Sequence, residues 1–104
     1  MDEKGIHKSL QLSARIIKTQ TGIELTPAEF LKLRIYYLRI KGERQYGEWS
    51  RIGTYECETR ARFLYDLFGI DFLGCIREKL CGTPEFLEHC RNNVVQWREE
   101  KDYL

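Results

Sequence analysis

Long apolar runs are missing from this chain. The longest is four residues, Ile35–Leu38, against the ~20 that a membrane-spanning helix needs, so no membrane partner is expected. The amino-terminal MDEKGIHKS has neither an apolar stretch nor a cleavage site, so no secretory signal is expected and the expected location is cytoplasmic. Histidine is scarce. With only His7 and His89 in the chain, nothing in the spacing brings an imidazole to a particular cysteine or serine, as nucleophilic catalysis would need. Glycine-rich phosphate loops are also absent. Glu56 and Glu58 flank Cys57, but carboxylates two apart on a helix point in different directions, which argues against an acid–base pair. The sequence therefore reads as non-enzymatic, with no cofactor.

Close-set cysteine pairs are lacking as well. Cys57, Cys75, Cys81 and Cys90 include no tight C-x-x-C pair of the kind that holds zinc. Cys75, Cys81, His89 and Cys90 lie within sixteen residues, but residues six apart or adjacent on a helix diverge. They read as core thiols and no metal is expected. A reduced state follows from the expected compartment.

What is present suits a folded chain. At 104 residues, 42% hydrophobic and 32% charged, it is long enough for a core of its own, and residues 1–104 are expected to form one domain. The net charge of +1 hides an asymmetry: residues 4–51 hold ten Lys/Arg and four Glu, residues 52–104 seven Lys/Arg and ten Asp/Glu. Such an asymmetry bears on partners, not on fold.

Helical periodicity dominates. Tyr55–Ile70 sets Cys57, Ala61, Leu64 and Phe68 in one stripe, widened by Leu67 and Tyr65, with Glu58, Arg62 and Asp66 opposite. It is expected to be the central packing helix, stopped by Gly69 and followed by a helix capped at Asp71. Before it, Lys4–Gln20 carries Ile6, Leu10, Ala14 and Ile17 on one face and a cationic strip on the other, which is either a solvated surface or a strip for an anionic partner. Thr26–Pro27–Ala28–Glu29 is a capping box with proline at the first helical position, and Leu25 and Phe30 are placed for a hydrophobic staple. Beyond it, Phe30, Leu33, Tyr37 and Ile40 continue a stripe, while Leu31, Ile35 and Leu38 put apolar groups on the opposite side. This gives either a helix buried nearly all round or a strand over Leu33–Ile40 pairing with Tyr46–Ile52. Gly42–Thr54 lacks periodicity and reads as loop. After the central helix, Asp71–Cys81 is expected to turn Phe72, Leu73, Ile76 and Leu80 inward. Thr83–Pro84 then opens a last helix with Phe86, Cys90, Val94 and Trp97 on one face. The fold class expected is mostly α, a compact bundle of four to five helices, with a small β-hairpin around residues 33–52 as the alternative to a longer helix.

Function is expected to be binding. Lys32, Arg34, Arg39, Lys41, Arg44 and Arg51 interleave with Tyr36, Tyr37, Tyr46, Trp49 and Tyr55. Tyr, Trp and Arg are the residues enriched at interface hot spots, so the preferred reading is a small interaction module: an adaptor, accessory subunit or inhibitor of a larger machine. It would bind an acidic protein surface through Arg39, Lys41, Arg44, Tyr46, Trp49 and Arg51. The acidic half of a second copy would serve as such a surface, giving a homodimer. The alternative is a nucleic-acid-binding protein using the Lys/Arg and Tyr/Trp of residues 32–55, since cations neutralise phosphates and aromatic faces stack on unpaired bases.

Overall fold

The computed structural model describes residues 3–46 and 54–102. Among them are five helices and no strand: α1 (Glu3–Thr21), α2 (Pro27–Tyr46), α3 (Tyr55–Phe68), α4 (Phe72–Arg77) and α5 (Pro84–Asp102). None is long and apolar enough to cross a membrane. The mostly helical expectation holds, but the hairpin is corrected. Leu33–Ile40 is helix, and α2 runs on through Gly42 to Tyr46. Leu33, Tyr37 and Ile40 are all buried; only helical spacing can put positions i, i+4 and i+7 on one face. Residues 47–53, the rest of the expected loop and second strand, lie outside the described residues.

The start of α2 forms as its sequence dictates. The Thr26 amide donates to Glu29 Oε1 at 2.9 Å and the Glu29 amide to Thr26 Oγ1 at 3.2 Å, while Leu25 and Phe30 are each half-buried against the core. Glu29 is only 2% exposed. Its charge is met from α5, where Arg98 Nε donates to Oε2 at 3.0 Å and Nη2 to Oε1 at 2.7 Å. The same Nη2 donates to the Glu24 carbonyl at 2.9 Å. One guanidinium thus ties the last helix to the α1–α2 turn.

α3 is the central helix, packed against α1, α2, α4 and α5. Ala61, Leu64 and Phe68 are buried as the stripe requires. The buried arc is wider than that stripe, taking in Glu58, Thr59 and Phe63, because neighbours pack on the helix from several sides. Glu58 is therefore inside where water was expected, and Tyr65 is 65% exposed where core was expected. Thr54 accepts from the Cys57 amide to open α3. Gly69, at φ 66°, closes it with its amide on the Tyr65 carbonyl, a conformation that costs glycine nothing. Asn93 of α5 donates to the Phe68 carbonyl at 3.0 Å. Phe68 meets Trp97 edge-on at 5.2 Å, so Trp97 anchors α5 as expected.

α4 departs from expectation. Asp71 caps it through the Gly74 amide at 3.0 Å, but the helix ends at Arg77, and Lys79 adopts φ 58°. That turn sends the Leu80 amide back to the Cys75 carbonyl at 2.9 Å. Cys81 is thereby brought beside Cys75, their Cα atoms 5.4 Å apart, and the two form a disulfide. The expectation of four separate thiols is corrected, because it assumed that the helix continued to Cys81. Leu73, Ile76 and Leu80, expected inward, are 42–43% exposed; Phe72 and Cys75 of this segment are buried, with Cys81 partly buried against the core.

Two outcomes are expected. Reduction of the Cys75–Cys81 bond releases a short closed loop and should cost about 2 kcal/mol, read as a fall in the thermal midpoint that Cys75→Ser with Cys81→Ser reproduces. Arg98→Ala leaves a buried carboxylate without its cation, which should cost about 3 kcal/mol at neutral pH. Burial pushes the Glu29 carboxyl up, but the hydrogen bonds from Arg98 and Thr26 outweigh it and hold the group below its ordinary 4.5. The pair's contribution is therefore complete above about that pH and lost as pH falls through the lowered folded-state value. Denaturant titrations of wild type and Arg98→Ala should converge as pH drops below this range.

Candidate interaction face on helix α2

α2 has two apolar faces. The inner one, Leu33, Tyr37 and Ile40, is closed against α3 and the rest of the core. The outer one carries Leu31, Ile35 and Leu38, exposed by 56%, 56% and 41%. A helix buried nearly all round is therefore corrected: its second stripe faces solvent. Large apolar groups scattered singly on a surface need no explanation, but three in file along two helical turns make a continuous patch. A second group, Leu73, Ile76 and Leu80, surrounds the α4 turn. Unlike the first, it has charges of both signs around it, among them Arg77, Glu78 and Lys79.

The flanks of the α2 stripe are cationic. Between Glu29 and Glu43 the chain has Lys32, Arg34, Arg39 and Lys41 and no acid. Lys32 and Arg39 are seven apart, as are Arg34 and Lys41, so each pair lies along one side of the stripe. Arg39 is exposed, with its guanidinium 5.1 Å from the centre of the Tyr36 ring. Lys41 is half-buried. Lys32 lies with its Nζ 5.2 Å from the Trp97 ring centre, and burial together with the nearby Lys101 holds its pKa below the usual lysine range.

Of the residues expected to make contact, Arg39 and Lys41 share this face. Arg44 and Tyr46 belong to the last turns of α2, whereas Trp49 and Arg51 lie outside the described residues. The aromatic part of the expectation changes most. Tyr37 is buried and its hydroxyl pairs with that of Tyr55, the two rings 5.0 Å apart. Burial and that partner push the Tyr55 hydroxyl pKa upward. Tyr36 donates to Asp66 at 2.8 Å and packs edge-on to Phe63. These three rings hold α2 to α3 and are not laid out for stacking on a ligand. Leu31, Ile35 and Leu38 take their place on the outer face. Their i, i+4, i+7 spacing, bordered by cations, was the signal in the sequence that could have found them.

Chemistry-bearing groups elsewhere among the described residues are few. Cys75 and Cys81 are bonded to each other, and Cys90 is fully buried with its thiol pushed up to about 11 by burial. His89 is exposed beside a shallow cleft of about 350 Å³ whose lining includes Asp71, Glu78 and Glu85. Among the described residues no group of three His, Cys, Asp or Glu is placed to hold a metal ion.

The two faces of α2 should respond differently to substitution. Leu33→Ala should cost about 2–5 kcal/mol, while Ile35→Ser should change stability by no more than about 0.5 kcal/mol, both read by chemical denaturation. The chain matches no family model, no curated protein and no solved structure.

Proposed function

We propose that this protein is a non-catalytic interaction module that takes another protein, one with an acidic surface, on the outer face of α2. The observation that carries the reading is the exposed file Leu31, Ile35 and Leu38, set among cations without a single acid between Glu29 and Glu43. Apolar groups in the middle supply affinity, and charges at the rim supply orientation and choice of partner. Arg39 and Lys41 are the rim residues, with Arg34 beside them and Arg44 following on the same helix. The core roles of Tyr36, Tyr37 and Tyr55 favour a protein over single-stranded nucleic acid, whose affinity would draw on rings open for stacking.

The test is affinity capture from an extract of the cells that make the protein, comparing wild type with Ile35→Asp. Wild type should retain acidic protein that salt elutes and that Ile35→Asp loses. Identical retained sets from the two would overturn the reading. So would salt-sensitive micromolar binding of single-stranded DNA or RNA, measured by fluorescence anisotropy, that Arg39→Glu abolishes and Ile35→Asp leaves intact.

A further inference from the structure

The geometry points to a specific kind of partner: we infer that the outer face of α2 is one half of a short two-stranded coiled coil, completed by an amphipathic partner helix with acidic flanks. This rests on the reading of α2 as a protein-docking face and goes beyond it by naming the shape and charge of the occupant.

The heptad register carries the inference. With Leu31 and Leu38 at d, position a falls on Ala28, Ile35 and Gly42. Position e falls on Lys32 and Arg39, and position g on Arg34 and Lys41. Leucine at d and a β-branched residue at a is the pairing that favours two strands. The positions that point away from such a seam are b, c and f. Here they are Glu29 and Tyr36, Phe30 and Tyr37, Leu33 and Ile40, all buried or half-buried against the protein's own core. One side of the helix is therefore spent on the fold, and the seam faces out over Ala28–Gly42, about 20 Å at the helical rise.

Charge selects the occupant. Residues at e and g contact their counterparts across a coiled coil, and all four here are basic. A second copy using the same face would set cations against cations, so this seam does not build a symmetric dimer. An acidic e/g partner would pair on both flanks. An anionic membrane would also attract the flanks, but surface-bound helices bury a broad apolar face. The present stripe is one row wide, with cations directly beside it. A groove that narrow fits one helix.

The probe is a synthetic peptide of about three heptads with Ile at a, Leu at d and Glu at every e and g, and the control is the same peptide with Lys at e and g. Titrated by fluorescence anisotropy against the full chain at low and moderate salt, the Glu peptide should bind and the Lys peptide should not. Ile35→Asp should weaken the Glu peptide by about tenfold or more, as a central apolar contact does. The double variant Arg34→Glu with Arg39→Glu leaves two basic and two acidic flanks and should abolish the preference for the Glu peptide. Circular dichroism and the thermal midpoint of each variant establish that the fold is intact. Equal affinity of the wild type for both peptides, or an undiminished preference in the double variant, would overturn the inference. Binding to phosphatidylserine vesicles with no peptide binding would replace it with a membrane surface. If extract capture still depends on Ile35 while neither peptide binds, the docking face stands and its helical partner does not. If capture is independent of Ile35, the docking face itself fails.

Discussion

A carboxylate that is 2% exposed governs this bundle. Glu29 cannot be held ionised inside without full satisfaction, since a buried charge lacking partners costs several kcal/mol. The amide of Thr26 supplies one hydrogen bond, Arg98 supplies two, and the remaining reach of Arg98 goes to the Glu24 carbonyl. The first turn of α2, the preceding turn and the last helix therefore meet at one point, linking residues 69 positions apart in the chain. Once that point is fixed, α2 can turn only one of its two apolar faces toward α3. The tyrosines go inward, and the aliphatic file goes out.

The local signals that the sequence carries plainly are those in which a residue's neighbours decide its conformation. Thr26, Pro27 and Glu29 specify a helix start, Gly69 a helix end, and Thr83 with Pro84 another start, and all three form. The stripe of Ala61, Leu64 and Phe68 was legible for the same reason, since periodicity is a local property. What periodicity cannot decide is which of two apolar faces meets the core. α2 has Leu33, Tyr37 and Ile40 on one side and Leu31, Ile35 and Leu38 on the other, and only tertiary contacts, the Glu29–Arg98 pair and packing against α3, choose between them. Glu58 and Tyr65 fail for a related reason: neighbours pack on α3 from several sides but leave Tyr65 and Asp66 open, so burial around it follows its neighbours' positions more than its own polarity. The half of the Glu29 network that comes from Thr26 could be read in the sequence; the half from Arg98 could not, because no spacing rule links residues so distant. At Cys81 the outcome turned on a single residue. Lys79 in the left-handed region redirects the chain toward Cys75, and lysine gives no warning of it.

The docking role proposed for α2 has an energetic side. A docking helix that forms only on binding must meet the ordering entropy of its own residues at that moment. Here the inner face already holds the helix in place through Tyr36, Tyr37 and their partners on α3. The outer face is preorganised, so less of the interaction energy is lost to ordering. Such a face can be short and still useful, provided its partner brings complementary charge.

The cysteines leave the molecule with one uneven chemical landscape. Two sulfurs are committed to each other at the α4 turn, and the Cys90 thiol is sealed in the core with its ionisation suppressed. Cys57, half-buried in the first turn of α3, is the remaining thiol. Thiolate-directed reagents act on accessible sulfur, so the native chain directs an electrophile to a single address, and a dye or spin label placed there would report from α3 without any engineered residue.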